Sequence, residues 1–246
     1  MDKGYYKQYF DFERHHWWFL ARADILRSYI ANKISDKKVK ILNVGAATGA
    51  TSEWLAKFGE VTSLEYDGDC VAFVKEAIGL DFIQGSILEL PFENESFDVV
   101  CCFDVLEHIE DDKAGAAELK RVCKTGGIVY ATVPAGMHLW SDHDKINHHY
   151  RRYDIKEFKA LFSGSGVIKF VSYFNARLYP LIYGARKVLN LKNKLFPPKK
   201  IQSDFESIKP GITSKLFYNL MSGEKKELIQ GKAFSKGVSI FIEWGK

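Results

Sequence analysis

Val39-Lys-Ile-Leu-Asn-Val-Gly-Ala-Ala-Thr-Gly49 is an apolar run that ends in a glycine-bracketed turn, and Glu65 follows Gly45 by twenty residues at the close of a second apolar run. A strand, a tight turn, a helix and a second strand ending in a carboxylate is the order in which an open α/β sheet holds an adenosine. The expected chain direction is therefore parallel, with right-handed crossovers between strands.

Two cofactor classes fit that order. Gly45, Ala47 and Ala50 fall on the glycine positions of a relaxed dinucleotide fingerprint, while Gly45-Ala-Ala-Thr-Gly49 also fits the looser turn that wraps a methionine moiety. A pyrophosphate needs the backbone to come close at Ala47 and Ala50, and each methyl there makes that approach harder. Between Glu60 and Asp112, fifteen Asp or Glu stand against one Lys, Lys75. That field suits a sulfonium cation better than phosphates, so the expected cofactor is cationic.

The rest of the chain fits one α/β domain with additions. Of its 246 residues 46% are hydrophobic, enough to fill a sizeable core. The net charge of +4 is uneven, because Ala176 to Lys232 carries twelve Lys or Arg against four acids. Cys70, Cys101, Cys102 and Cys123 show no Cys-x-x-Cys spacing, and adjacent residues of a strand point to opposite faces. They read as buried reduced thiols, which favours a cytoplasmic protein. No apolar signal core is evident at the start, and no apolar run reaches the roughly 18 residues that a spanning helix needs.

Strands are expected at Val39–Val44, Glu60–Glu65, Asp81–Gln84, Phe97–Phe103, Gly127–Val133, Val167–Tyr173 and Val238–Trp244. Helices are expected at Ala50–Phe58, Gly68–Ile78 and Asp112–Cys123, and after Asp154, whose partner Glu157 completes a capping box. Tyr5, Tyr6, Tyr9, Phe10, Phe12, Trp17, Trp18 and Phe19 form an aromatic stripe that should cover the C-terminal edge of the sheet. Pro180, Pro197, Pro198 and Pro210 should break residues 176–232 into short helices and turns. The expected domain is thus 1–246, with a cover at 1–36, a core at 37–175 and 233–246, and a basic helical insertion or lid at 176–232.

Further stretches sharpen this reading. Phe82-Ile-Gln-Gly-Ser86, Leu90-Pro-Phe-Glu-Asn-Glu-Ser-Phe-Asp-Val-Val100, Phe103-Asp-Val-Leu-Glu-His-Ile109 and Gly126-Gly-Ile-Val-Tyr-Ala-Thr-Val-Pro134 follow the opening motif in order. Together, Val39 to Pro134 resembles class I S-adenosylmethionine-dependent methyltransferases, in particular methyltransferase domains of types 11 and 12. The resemblance implies a Rossmann-like α/β fold: a seven-stranded, mostly parallel sheet with helices on both faces and an antiparallel last strand. An N-terminal helical cover and a helical insertion before the last strand complete it.

It also implies site roles. Gly45, Ala46 and Gly49 would line the methionine end, and Glu65 would take both ribose hydroxyls. Ser86 and Ile87 would border the adenine, Phe103 would pass beneath the sulfonium, and Asn43, Ala47, Tyr66 and Asp104 would also belong to the cofactor site. Asn43 stands where an acid is usual, Ala47 where glycine is usual and Ser86 where Asp is usual. His15-His-Trp-Trp-Phe19 with Arg22 is similar to a bacterial and archaeal subgroup associated with polysaccharide and lipid-sugar biosynthesis. Trp17, Trp18 and Phe19 would close over the cofactor while Arg22 reaches its carboxylate; the plain alternative is aromatics buried on the sheet.

Trp140-Ser-Asp-His-Asp-Lys-Ile-Asn-His-His-Tyr-Arg-Arg-Tyr153 gathers three His, two Asp, two Arg and two Tyr after the fifth strand. His143 and His149 are the candidate bases for a hydroxyl or carboxyl. Tyr150, Arg151 and Arg152 are the candidate substrate contacts, Arg being suited to a carboxylate or phosphate; the alternative is a polar surface loop with internal ion pairs. Asp104, Glu107 and His108 would be the ligands if a divalent ion bound, but no metal is expected, the acids serving as caps and His108 bracing the loop.

Phe103-Asp-Val-Leu stands where an Asn-Pro-Pro-Tyr or Asp-Pro-Pro-Tyr motif would mark methylation of a base or a glutamine amide. The expected acceptor is therefore an oxygen on a small molecule, sugar or lipid-linked intermediate. The insertion would act as a lid or touch anionic lipid from one side, and no nucleic-acid module is recognisable. Two rivals stand: a nicotinamide-dependent oxidoreductase and a non-catalytic adaptor that keeps the fold.

Overall fold

The computed structural model describes residues 3–34, 38–195 and 210–246. Seven strands, β1 (Val39–Val44), β2 (Gly59–Glu65), β3 (Ile83–Gln84), β4 (Phe97–Phe103), β5 (Cys123–Pro134), β6 (Val167–Phe174) and β7 (Ser239–Gly245), form one sheet in the order β3-β2-β1-β4-β5-β7-β6. Parallel pairs join β1 to β2 and β4, β2 to β3, and β4 to β5. β7 runs antiparallel to both β5 and β6. Strand order reverses between β1 and β4, which opens a crevice at the carboxyl ends of those strands.

Among the described residues, ten α-helices surround the sheet: α1 (Lys3–His15), α2 (Trp17–Ala31), α3 (Ala50–Leu55), α4 (Gly68–Ile78), α5 (Asp112–Val122), α6 (Asp142–Ile146), α7 (Ile155–Leu161), α8 (Tyr179–Leu195), α9 (Ile212–Ser222) and α10 (Lys225–Ile229). Period-two alternation divides the core. Leu42, Val100, Cys102 and Val129 face α5 and α7, whereas Ile41, Val99, Cys101 and Tyr130 face α2, α3, α9 and α10. The adjacent cysteines do point to opposite faces, and all four thiols are buried and free.

Several expected boundaries move. β3 keeps only Ile83 and Gln84 of Asp81–Gln84, because it is the outer strand and Asp81 turns out to Lys75, 2.6 Å away. α3 stops at Leu55 rather than Phe58. Pro180 does not break the insertion: it lies in the first turn of α8, where a missing amide costs nothing, and the helix runs 17 residues. Pro210 immediately precedes the turn into α9, while Pro197, Pro198, Lys199 and Lys200 lie outside the described residues.

The aromatic stripe is not one surface. α1 crosses the glycine turn and α4: Tyr6 donates to Asp67 at 2.8 Å, Arg14 pairs with Glu53 at 2.8 Å and bonds the Thr48 carbonyl, and Thr48 donates to Glu13. α2 instead lies on the sheet face through Ile25, Leu26, Tyr29 and Ile30, all 3% exposed or less. Burying each aliphatic of that kind is worth about 1.5–3 kcal/mol. α9 and α10 then cover α2, with Phe217 of α9 5.3 Å from Trp17 and Lys225 of α10 on Asp24 at 2.7 Å. No helix among the described residues is long and apolar enough to cross a membrane.

Candidate functional site

The turn after β1 takes the left-handed region three times, at Gly45 (φ 71°), Ala47 (φ 47°) and Gly49 (φ 94°). Backbone amides of Gly45 and Ala46 donate to the Leu64 carbonyl at 2.9 and 3.0 Å, which ties the turn to the end of β2. Glu65 completes the tie. Its carboxylate accepts from Ala47 N at 2.9 Å, Tyr66 N at 2.9 Å and Asp67 N at 3.1 Å. Three amides fix the carboxylate at the strand's end, and its remaining lone pairs can still accept hydroxyls.

The other residues assigned to the cofactor divide into those at the crevice and those turned inward. Tyr66 is 75% exposed beside Glu65. Asn43 is 1% exposed and donates to Ser52 Oγ at 3.0 Å, so its side chain braces β1 against α3. Ser86 accepts from Leu88 N at 3.1 Å, and Ile87 is turned into the core beneath α5.

Phe103 is nearly buried and stacks on Trp54. Arg22 lies 5.6 Å from the rings of both Trp18 and Phe103 and pairs with Asp104 at 2.6 Å. Asp104 itself has φ 56°. A non-glycine residue held there is strained, and strain of this kind gathers at functional sites. Arg22 thus has a carboxylate partner within the protein, where the sequence expectation gives it the cofactor's carboxylate.

The loop after β5 folds against the turn after β4 through a backbone bond from Tyr150 N to Glu107 O at 2.8 Å. Asp144, fully buried, is its hub: it meets His149 Nδ1 at 2.9 Å, Arg152 Nε at 2.7 Å and Ser141 N at 2.8 Å. Burial would raise the Asp144 pKa, but the His149 hydrogen bond and the Arg152 charge outweigh it and hold the carboxyl well below the usual range.

Glu107 goes the opposite way, since burial first and the Asp104 charge second push it far up. Burial, with His149 next to it, lowers the His108 pKa to about 4, although one side of that residue is open to solvent. His143 sits one helical turn before Asn147, and its ring centroid is 6.2 Å from that of His149.

Arg151 reaches Asp112 at 2.8 Å and the Glu110 carbonyl at 2.7 Å, and Arg152 is 5% exposed on Asp144. Both candidate substrate arginines therefore have internal partners, while Tyr150 is 54% exposed. Of the three residues named as ligands should an ion bind, Asp104 is drawn to Arg22, and Glu107 and His108 are joined by His149 instead. A hollow of about 470 Å³ opens beside Ala135–His138, lined also by Asp154, Glu157 and Tyr179. The hold of Asp144 on His149 and Arg152, and Glu13, Arg14 and Tyr6 as clamps, carry no signal in the sequence, because those partners lie five to sixty-one residues away.

Residues 42–131 match a family profile described as a methyltransferase domain. The chain is 34% identical over 112 residues to an uncharacterized methyltransferase of Schizosaccharomyces pombe, covering 39% of this chain and 40% of that protein. It is 31% identical over 140 residues to a sterol 24-C-methyltransferase of Gibberella zeae, covering 52% and 36%. The chain thus spans less than half the length of these relatives. Among solved structures it resembles the Haemonchus contortus phosphoethanolamine N-methyltransferase 2 in complex with phosphomonomethylethanolamine and S-adenosylhomocysteine. That likeness has a TM-score of 0.57 and 19% identity over 90% of this chain and 52% of that one, and it speaks to the fold alone.

Proposed function

We propose that the protein transfers a methyl group from S-adenosylmethionine to an oxygen of a small-molecule, sugar or lipid-linked acceptor, a reading supported by the match of residues 42–131 to a methyltransferase domain. The cofactor's ribose hydroxyls bond Glu65, and its methionine end lies along Gly45, Ala46 and Gly49. Arg22, neutralised by Asp104, leaves the region beside Phe103 without a net positive charge, which favours a sulfonium.

In the reaction an acceptor oxygen lone pair attacks the methyl carbon in line. The carbon–sulfur bond breaks, its electron pair stays on sulfur, and S-adenosylhomocysteine results. The hydroxyl proton goes to an imidazole of the loop after β5. His143 and His149 both stand there, and Asp144 fixes the tautomer of His149 by accepting from its Nδ1. Most of the rate comes from holding acceptor and sulfonium in line. The observation that carries the choice of oxygen is this pair of imidazoles on the same sheet edge as Glu65 and Arg22. The Gibberella relative is named for transfer to carbon, so the acceptor atom is a point of test.

Calorimetric titration should give saturable binding of S-adenosylmethionine and none of NADH, and the reverse would remove the cofactor assignment. Incubation with methyl-labelled cofactor and fractionated small-molecule, glycan and lipid extracts should then yield an O-methyl product. Label recovered only on carbon or nitrogen would overturn the acceptor assignment.

A further inference from the structure

Glu107, His108 and His149 each place one potential ligand atom within 4.8 Å of the others. Glu107 sits in a short 3-10 turn after β4 that also holds His108, and the Tyr150 N to Glu107 O bond brings His149 onto it. The two imidazole rings cross at 85° with centroids 4.6 Å apart.

Three features make this more than a chance grouping. Glu107 is 1% exposed, and its Oε2 has no hydrogen-bond partner among the described residues. An orphaned buried acceptor costs about 1–3 kcal/mol, and a cation would offset that cost directly. His149 has one ring nitrogen on Asp144, leaving Nε2 free. His108 is exposed on one side, so a ring nitrogen is accessible to a ligand. An imidazole fixed from behind by a carboxylate, as His149 is by Asp144, is the outer-shell arrangement that orients a histidine ligand on a metal. The solvent-facing side of His108 supplies a way in.

We propose that Glu107, His108 and His149 bind a divalent cation of the zinc or cobalt class, with a further coordination position open to the acceptor's oxygen. Two nitrogens and one carboxylate oxygen suit such borderline ions better than calcium or magnesium. Ligands about 2.1 Å from a tetrahedral ion lie about 3.4 Å from one another, so the three side chains close by about an ångström on binding. The ion's role at the acceptor rests on the methyl-transfer reading, but its binding does not. With the ion present, His149 serves as a ligand, the bound hydroxyl loses its proton more readily, and His143 is left to receive that proton.

The test uses the full chain, stripped with chelator and titrated with Co²⁺ and with Zn²⁺ in the absence of any nucleoside. Expected are a saturable single-site isotherm and the visible absorption of low-coordinate Co²⁺. His149→Ala and Glu107→Gln should weaken binding at least about tenfold, and Asp144→Asn by about 10–100-fold through misoriented His149. His138→Ala, an imidazole outside the cluster, should leave the isotherm unchanged. Should the Glu107 variant fail to fold, His108→Gln at its solvent-facing position gives the same test. Absence of saturable binding in the parent protein, or unchanged binding in the ligand variants, overturns the site. Failure of S-adenosylmethionine to bind would instead count against the proposed function, leaving the metal isotherm as it stands.

Discussion

Gly45 and Ala47 share the left-handed region, yet one excludes a side chain and the other carries one. A Cβ on Gly45 would come within 2.3 Å of Val105 Cγ2, whereas Ala47 bears its methyl at φ 47°. Gly45→Ala therefore combines backbone strain with an overpacked contact, and should cost about 1–3 kcal/mol in urea unfolding together with most of the cofactor affinity. Unchanged affinity in calorimetry would show that the turn does not line the nucleoside. Glu65→Ala should abolish binding of S-adenosylmethionine. It should also lower stability by about 1–3 kcal/mol, because three backbone amides lose their acceptor. The position of Glu65 can be read from its distance past Gly45. Its grip on the Ala47 amide cannot, since that depends on how two loops eighteen residues apart meet in space.

Elements with strong local signals were legible in advance, and those governed by tertiary contacts were not. Asp154 and Glu157 exchange backbone bonds at 2.8 and 2.9 Å, as their spacing announces. β4 is apolar apart from Asp98 and matches its expected span. α8 was misread because a proline breaks a helix interior but not a first turn. The hold on the insertion was invisible: Glu224, between α9 and α10, accepts from Ala176 N and Arg177 N at 2.8 Å each, just beyond β6.

Burial raises the Glu224 pKa to about 7 against those bonds. A carboxyl raised in the folded state contributes stability that is full below its unfolded value near 4.5 and is lost as pH climbs through 7. Thermal melts of Glu224→Gln and parent should therefore converge near about pH 5 and separate by up to about 3 kcal/mol near about pH 8, the variant being more stable. Parallel melting curves across that window would show that Glu224 is already ionised when folded.

At the scale of the whole molecule, the two faces of the core follow from alternation along the strands, and a seven-stranded, mostly parallel sheet with an antiparallel last strand was readable through the resemblance. The clamp that α1 places across the crevice was not, because Tyr6, Glu13 and Arg14 look like ordinary amphipathic surface until their partners Asp67, Thr48 and Glu53 are known. In the proposed cofactor placement those partners stand beside the nucleoside, so passage of S-adenosylmethionine or its product is expected to require the helix to lift. Traffic through the crevice then proceeds at the pace of a local unfolding event. Tyr6→Phe combined with Arg14→Ala removes two fastenings of about 1 kcal/mol each, and stopped-flow displacement of S-adenosylhomocysteine should quicken by about tenfold or more. An unaltered displacement rate would place the exit elsewhere. A latch of this kind makes the spent nucleoside a long-lived tenant, so the protein should be strongly inhibited by its own by-product and should respond to how fast its surroundings clear that by-product away.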